Sequence, residues 1–380
     1  MIFLDNASTT MLCQSAVESL VRYSTVDYFN PSANYLVGYE NFKKITDTKK
    51  HLCDKLGVKF NNNIIFTGSA TEATNLAIFG SYRKFWKKAI FSSGEHPSVY
   101  NSALALKEKG VDVVFIDLLE NGTVNLKQLE SELNDDVAFV SIMQVSNETG
   151  AINDISKISA ICKQKSPRAL LHVDGVQAFG KTHENIYAFD IDFYTISAHK
   201  FHGPKGLGVL YAKNPQKLNP IVYGGGQEYG LRSGTENLPA IMALDSALEN
   251  LGDISEQKIK ISSLNALFKS EFLTRLDKEI PVKILSGENF SPYIMSISFN
   301  GIKGQVLQNL CDKNGLLIST GSACSSKKSG NRILENMGYS SDEILGNIRV
   351  SFSRYTTEED AIQGAKILAD CANELWRNTR

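Results

Sequence analysis

The sequence predicts an α/β protein with a mostly parallel central sheet of about seven strands, flanked by helices, and a smaller α+β domain towards the C-terminus. Two observations indicate the sheet. Short β-rich runs occur at residues 64–67, 89–92, 113–117, 138–143, 169–173, 193–197 and 208–212. Between them, apolar residues recur at helical spacing, as at Val99, Ala103 and Leu106. Strands that alternate with helices form parallel sheets covered on both faces, and ligands bind beyond the carboxyl ends of the strands.

The pattern changes after the three glycines at residues 224–226. Residues 237–276 predict two long helices interrupted near Gly252. Further strands are predicted at residues 282–285, 294–299, 316–319 and 348–352, and a last helix begins with the capping-box spacing of residues 356–359. We therefore predict a large domain at residues 15–255 and a small domain formed by residues 1–14 and 256–380.

Composition narrows the class of protein. The 380 residues include 40 Lys and Arg and 41 Asp and Glu, so the net charge of −1 gives no reason to expect direct nucleic-acid binding. The start of the chain, MIFLDNASTT, lacks the basic region of a signal peptide, and no apolar run approaches membrane-spanning length. The six cysteines are widely spaced without a CxxC pair, which disfavours a disulfide framework or a zinc site. We expect a cytoplasmic protein that does not bind membranes or a resident metal.

Polar residues follow several predicted strands. The small residues after strand 64–67 suit a phosphate at a helix N-terminus, although Ser69 and Glu72 also form an ordinary capping pair. His96 could pack on an aromatic cofactor or move protons, or it could be a solvent-exposed loop histidine. Asp174 could pair with a cationic ring nitrogen or cap a helix. Taken singly, each residue leaves both readings open.

Three further residues have possible chemical roles. Lys200 ends a hydrophobic strand, where burial and cationic neighbours would lower the pKa of its amine as a Schiff base requires; a surface lysine is the alternative. Cys324 lies in a small, polar segment followed by two lysines, which favours a nucleophilic thiolate. The other five cysteines fall in helical patterns and are expected to be buried. Arg349, within an apolar run, could bind a carboxylate or face outwards from its strand.

Taken together, these segments resemble the cysteine desulfurases of the fold-type I pyridoxal-phosphate (PLP) enzymes. The resemblance extends from LDNASTT to IRVSFSRYTTEE and includes, in the family's order, SATE, EHPSV, SNETG, HVDGVQ, SAHKFHGPKG, GGGQEYGLRSGTEN and STGSAC. The long segment of small residues around Cys324 is similar to that of the NifS/IscS-like branch. One departure is Tyr35, where relatives often carry histidine.

The resemblance implies a role for each residue. Lys200 would hold PLP covalently, and His96 would stack on its ring. Asp174 would pair with the ring nitrogen and Gln177 with the phenolic oxygen. The phosphate would be held by Ala70, Thr71, Ser197 and His199, together with Thr235 of the neighbouring subunit in a homodimer. Arg349 and Asn147 would bind the substrate carboxylate.

The implied reaction removes sulfur from L-cysteine, leaving L-alanine and a persulfide on Cys324. The sulfur would pass to an acceptor protein, either an iron–sulfur scaffold or a tRNA-thiolation enzyme. Cys324 could also ligate a cluster transiently during transfer. Two alternatives stay open: a selenocysteine lyase or another PLP enzyme of this fold, and a non-catalytic sulfur-transfer partner. Retention of Lys200, Asp174, His96 and Cys324 together argues against the non-catalytic reading.

Overall fold

A computed structural model describes residues 1–182, 185–285, 287, 289–321 and 331–378. The strands, in chain order, are β1 (Ile2–Phe3), β2 (Ile64–Thr67), β3 (Lys88–Ser92), β4 (Asp112–Ile116), β5 (Val137–Met143), β6 (Leu170–Asp174), β7 (Phe193–Ser197), β8 (Gly208–Ala212), β9 (Val282–Leu285), β10 (Ile294–Phe299), β11 (Leu316–Leu317) and β12 (Asn347–Ser351).

The helices are α1 (Gln14–Thr25), α2 (Leu36–Leu56), α3 (Ala70–Ser81), α4 (Pro97–Glu108), α5 (Leu126–Glu132), α6 (Ile155–Lys165), α7 (Ile186–Phe189), α8 (Leu238–Glu249), α9 (Ile254–Arg275), α10 (Gly304–Lys313), α11 (Arg332–Asn336), α12 (Ser341–Leu345) and α13 (Glu358–Asn378). Within the described ranges, none of these helices combines the length and the apolar character needed to cross a membrane.

Seven strands form the central sheet in the order β2-β8-β7-β6-β5-β3-β4. Neighbouring strands are parallel except at β8, which runs antiparallel to both β2 and β7. The predicted mostly parallel sheet of about seven strands with flanking helices is confirmed. Because β8 is reversed between β2 and β7, the carboxyl ends of β2, β3, β5, β6 and β7 all lie at the same edge of the sheet.

The sheet is buried on both faces because its strands are apolar at successive positions. In β2, Ile64 and Phe66 belong to one apolar cluster, whereas Ile65, between them, belongs to another. Side chains alternate between the two faces of a strand, so a strand covered by helices on both sides needs apolar residues throughout. This explains why the strands are recognisable in the sequence as short unbroken apolar runs.

A second, smaller unit packs around its own apolar cluster. Its three-stranded antiparallel sheet has the order β12-β10-β9 and is covered by α9 and α13. Leu4 joins this cluster with Phe268 and Leu368, and β1 pairs in parallel with β11. The predicted break near Gly252 is confirmed: α8 ends at Glu249, and the Asp253 side chain caps α9. The predicted domain limits, at residues 14/15 and 255/256, stay a prediction.

Candidate active site

The carboxyl ends of the central strands open into a cavity of about 460 Å³. Ten residues selected from the sequence line it: Ala70, Thr71, His96, Asn147, Asp174, Gln177, Ser197, His199, Lys200 and Arg349. A larger cavity of about 600 Å³ lies at the opposite edge, beside Val137 and Leu170 at the starts of their strands, and contains none of them. Thr235 is exposed and does not line the 460 Å³ cavity. Cys324 lies outside the described residues.

The first turn of α3 forms one wall of the cavity. The side chain of Ser69 accepts a hydrogen bond from the Glu72 amide at 3.1 Å, as the capping pattern predicts. Ala70 and Thr71 follow it, where helix amides have no partner within the helix and can bind an anion. A Cβ on Gly208 would lie 2.2 Å from the Ser69 carbonyl carbon, so only glycine lets β8 pack this closely behind the turn. Ser69 therefore caps the helix, and Ala70 and Thr71 of the same turn line the cavity.

Lys200 extends from a short 3-10 turn after β7 into the cavity. Its half-buried Nζ donates to the backbone oxygens of Ala7 and Ser8, both at 2.7 Å. Burial and the charge of Arg349 lower the pKa of Lys200, nearby carboxylates, among them Asp174, oppose the shift, and the pKa is about 8. An amine with this pKa is neutral in a substantial fraction of molecules near neutral pH. Lys200 therefore lines the cavity, and its role as the Schiff-base lysine stays a prediction.

Asp174 and His96 both line the cavity. Asp174 ends β6, is 4% exposed and accepts a hydrogen bond from the Val176 amide at 3.0 Å. Burial raises the pKa of its carboxyl to about 6. The ring of His96 is exposed to the open cavity, yet it lies deep enough that the surrounding protein, with the charge of Lys200, lowers its pKa to about 4. The ring is therefore neutral at physiological pH and available for stacking.

Asp174→Asn is expected to stabilise the ligand-free protein by up to about 3 kcal/mol at pH 8. The pKa of this carboxyl is higher in the folded protein than in the unfolded chain, so the stability it contributes at low pH is lost as the pH rises through about 6. A neutral amide avoids that loss, and its oxygen can still accept from Val176. Urea unfolding at pH 8 and pH 4 measures the effect, which should vanish at pH 4. An equal destabilisation at both pH values would contradict the assignment.

Gln177 and His199 are fixed by segments outside the sheet. The Gln177 amide donates from Nε2 to the Ala7 oxygen at 2.8 Å and accepts from Lys181 Nζ at 2.8 Å. His199 Nδ1 lies 3.0 Å from the Thr9 hydroxyl. The N-terminal segment therefore closes one side of the cavity and holds two of the predicted residues in place.

Arg349, on β12, brings a cation from the smaller unit into the cavity. One of its terminal nitrogens donates to the Asn147 backbone oxygen at 2.6 Å, and the other to Asp5 Oδ1 at 2.9 Å. Glu148 Oε1 lies 3.9 Å from the guanidinium. Arg349 is 5% exposed, so the alternative of an outward-facing arginine is wrong. The two terminal nitrogens of its guanidinium group are held by a backbone oxygen and a carboxylate oxygen. A guanidinium group is also suited to binding the carboxylate of a ligand.

Sequence reasoning missed three charged residues at this site. Asp5 and Glu148 contact or neighbour Arg349, and Lys181 donates to Gln177. Two of them could have been recognised from their positions in the sequence: Glu148 follows the same strand end as Asn147, and Lys181 lies four residues after Gln177. Asp5 could not, because its contact with Arg349 joins the two ends of the chain.

Most of the chain matches the model of one known protein family. Residues 2–363 match the family model described as aminotransferase class-V. This chain belongs to the class-V aminotransferase family.

Individual relatives narrow the class. A NifS/IscS homologue from Lactobacillus delbrueckii subsp. bulgaricus is 36% identical over 368 residues, covering 95% of this chain and 94% of the relative. The cysteine desulfurase IscS of Clostridium botulinum strain Hall is 32% identical, covering 94% and 91%. A solved structure described as a NifS-like protein superposes with a TM-score of 0.90 at 30% identity, covering 99% of both chains. Within its family, the chain belongs to the NifS/IscS-like group.

Proposed function

We propose that this protein is a PLP-dependent cysteine desulfurase, which converts L-cysteine into L-alanine and a persulfide on Cys324. The observation that carries the proposal is the convergence of Lys200, Asp174, His96 and Arg349 on one cavity. The relatives in the NifS/IscS-like group, one of them named a cysteine desulfurase, support the same reaction.

The cavity fits PLP in three respects. The first turn of α3 offers amides for the phosphate, at Ala70 and Thr71. Asp174 supplies a carboxyl whose pKa is raised by burial, and a protonated ring nitrogen beside it would favour its charged form. Asn147 Oδ1 is buried and has no hydrogen-bond partner among the described residues, so it is available to a ligand donor. When bound, PLP supplies an electron-withdrawing ring that stabilises negative charge at the substrate Cα.

The side chains then divide the work. Lys200 would hold the cofactor covalently and would remove the Cα proton of the substrate, a role suited to an amine with a pKa of about 8. Arg349 and Asn147 would fix the substrate carboxylate. The neutral ring of His96 would stack on the cofactor. Gln177 would donate to the phenolic oxygen, while Ser197 and His199 would complete the phosphate site.

The sulfur transfer needs no external oxidant. The Cys324 thiolate would attack the substrate sulfur, a sulfur–sulfur bond would form, and the bond between Cβ and sulfur would break. The electron pair of that bond stays with the carbon, which takes up a proton to give L-alanine. Sulfur from the persulfide would then pass to a partner protein, an iron–sulfur scaffold or a tRNA-thiolation enzyme.

We propose a homodimer in which Thr235 serves the neighbouring subunit. Thr235 is exposed and does not line the cavity of its own chain. Three residues earlier, Arg232 donates to Glu72 at 2.8 Å, which ties this segment to the start of α3. The large domain, residues 15–255, would carry PLP, and the small domain, residues 1–14 and 256–380, would carry Arg349 and the Cys324 segment. A cytoplasmic location agrees with the proposed partners.

The experiment that tests the function follows all products of one reaction. Purified protein loaded with PLP is mixed with L-cysteine and a reducing thiol, and both L-alanine and sulfide are measured. We expect equal amounts of the two. Omitting the thiol should leave one extra sulfur on Cys324, detected by mass spectrometry of peptides.

Other outcomes would select the alternatives. Turnover of L-selenocysteine with no reaction on L-cysteine would identify a selenocysteine lyase. Transfer of the amino group to an oxo acid without sulfide would identify an aminotransferase. A protein that takes up PLP but releases neither product, or takes up none, would support the non-catalytic reading.

A further inference from the structure

Lys181 is a buried lysine beside the active site that the proposed reaction does not use. Its residue is 7% exposed, and its Nζ donates to Gln177 Oε1 at 2.8 Å. The same Nζ lies 5.7 Å from the centre of the Tyr293 ring. Lysine is seldom buried this deeply without an anionic partner, so its position calls for a reason.

The charges around Lys181 are mostly positive. The cations that act on it are Lys200 and Arg349, and the charge of Lys181 acts in turn on the neighbouring His199 and His202. A small cavity that Lys181 shares is also lined by Arg354 and Tyr293. In the described part of the chain Lys181 forms no ion pair with a carboxylate, and burial together with its cationic neighbours lowers its pKa to about 7. Folding thus buries the Lys181 ammonium group, at a cost in stability, directly behind the Gln177 side chain that lines the active-site cavity.

The ammonium group holds the Gln177 amide by its oxygen and favours one of its two orientations. A protonated lysine has donors only, so it must meet the amide oxygen rather than the nitrogen. The Gln177 nitrogen then faces the other way and donates to Ala7 O at 2.8 Å, on the cavity side where Lys200 Nζ meets the same oxygen. Ala7 O can only accept, so it selects the same orientation, and Lys181 and Ala7 hold the amide from its two ends. A cation on the oxygen also polarises the amide and strengthens its N–H as a donor.

We propose that Lys181 is a positioning residue, which fixes the Gln177 amide with its N–H towards the cavity and so prepares a donor for the anionic phenolic oxygen of PLP. The inference rests on the proposed function, because it needs PLP as the ligand. It adds a buried positive charge behind Gln177 to the groups that make the cavity complementary to an anion.

A double-mutant cycle tests the proposal by measuring the dissociation constant of PLP. We expect Lys181→Met to weaken PLP binding about tenfold, the size of a hydrogen bond to a charged group. In a Gln177→Ala background the same change should have an effect of about twofold or less, because Lys181 acts through Gln177. Lys181→Arg, which keeps the charge and donors, should restore most of the affinity. Lys205→Met, which removes an exposed lysine from the segment after Lys200, is the matched control and should change the dissociation constant by no more than about twofold.

Two readouts separate positioning from a purely structural role. In PLP-loaded protein, removal of the cation should raise by about one unit the pH at which the visible band changes form, since Lys181 and Lys200 disfavour each other's charge. Ligand-free Lys181→Met should melt no lower than the wild type, because the variant no longer buries an unpaired cation. Lys181→Gln, a second neutral variant, gives the same comparison if Lys181→Met fails to fold.

The outcomes are distinguishable. Wild-type protein that takes up no PLP overturns the proposed function and this inference with it. Wild-type protein that takes up PLP while both neutral variants bind it equally well, with an unchanged band, overturns the role of Lys181 alone. Equal losses in the wild-type and Gln177→Ala backgrounds would likewise refute action through Gln177.

Discussion

Lys200→Ala is expected to abolish the visible absorption band of the PLP-loaded protein and to reduce the formation of L-alanine from L-cysteine by more than about a hundredfold. Two functions would be lost together. Lys200 Nζ, the amine that would hold the cofactor, donates to Ala7 O and Ser8 O at the cavity. It is also the proposed base, with its pKa lowered to about 8. Absorption spectroscopy and alanine analysis measure the two effects on one sample.

The matched control for Lys200→Ala is Lys205→Ala. Both lysines lie in SAHKFHGPKG, but Lys205 is exposed and absent from the cavity lining. Its replacement should leave the band and the rate within about twofold of the wild type, as is usual for exposed positions away from a site. A Lys200→Ala protein that keeps the covalent band would show that another amine holds the cofactor. A control variant that loses the band would show that the segment, not the amine, is what matters.

The fold was predictable because its elements are strongly patterned. The strands of the sheet are apolar at successive positions, as Ile64, Ile65 and Phe66 illustrate, and the break at Gly252 interrupts a clear helical pattern. The order of the strands is a different matter. β8 is reversed against β7, the strand that precedes it in the chain, but its other partner, β2, lies more than 140 residues away, and no local pattern encodes such a partner.

The site was predictable where a residue follows a strand. The rule that ligands lie beyond the carboxyl ends of parallel strands applies to His96, Asn147, Asp174 and Lys200, and these residues meet in one cavity. It does not apply to Asp5, whose contact with Arg349 joins the first residues of the chain to β12. Long-range ion pairs of this kind depend on how the two apolar cores are placed, which spacing alone does not reveal. The functional roles of the lining residues stay predictions.

Asp174 and Lys181 are both ionisable groups that the fold buries beside the cavity. Burial raises the pKa of Asp174 and lowers that of Lys181, so each is unfavourable in its charged form. Such groups cost stability in the ligand-free protein, and a ligand that carries a cationic nitrogen and an anionic oxygen offsets the cost at both places. Neutral replacements at these two positions should therefore separate stability from PLP binding, whereas replacements in an apolar core reduce both.

The cysteines of the described chain are poor candidates for the nucleophile. All five, namely Cys13, Cys53, Cys162, Cys311 and Cys371, are buried. Burial raises the pKa of Cys53 to about 11 and that of Cys162 to about 12, so neither thiol forms an appreciable amount of thiolate at neutral pH. Cys13 precedes α1 as its N-cap residue rather than lying within a helix, but it is buried as expected. Cys324 is the remaining cysteine of the sequence.

Cys324→Ala is therefore expected to retain the visible PLP band while reducing sulfide release from L-cysteine by at least about a hundredfold, because the cofactor site is intact and the sulfur has no thiolate to accept it. Cys53→Ala, the matched control, removes a buried thiol of raised pKa and should retain both the band and the release of sulfide. Mass spectrometry after mixing with L-cysteine should find the extra sulfur on Cys324 in the wild type and in the control, and nowhere in Cys324→Ala.

Undiminished sulfide release by Cys324→Ala would refute the persulfide mechanism while leaving the role of Lys200 intact. A loss of the band in that variant would instead place Cys324 in the cofactor site. The two replacements, Lys200→Ala and Cys324→Ala, thus divide the reaction between the group that would hold the cofactor and the group that would receive the sulfur.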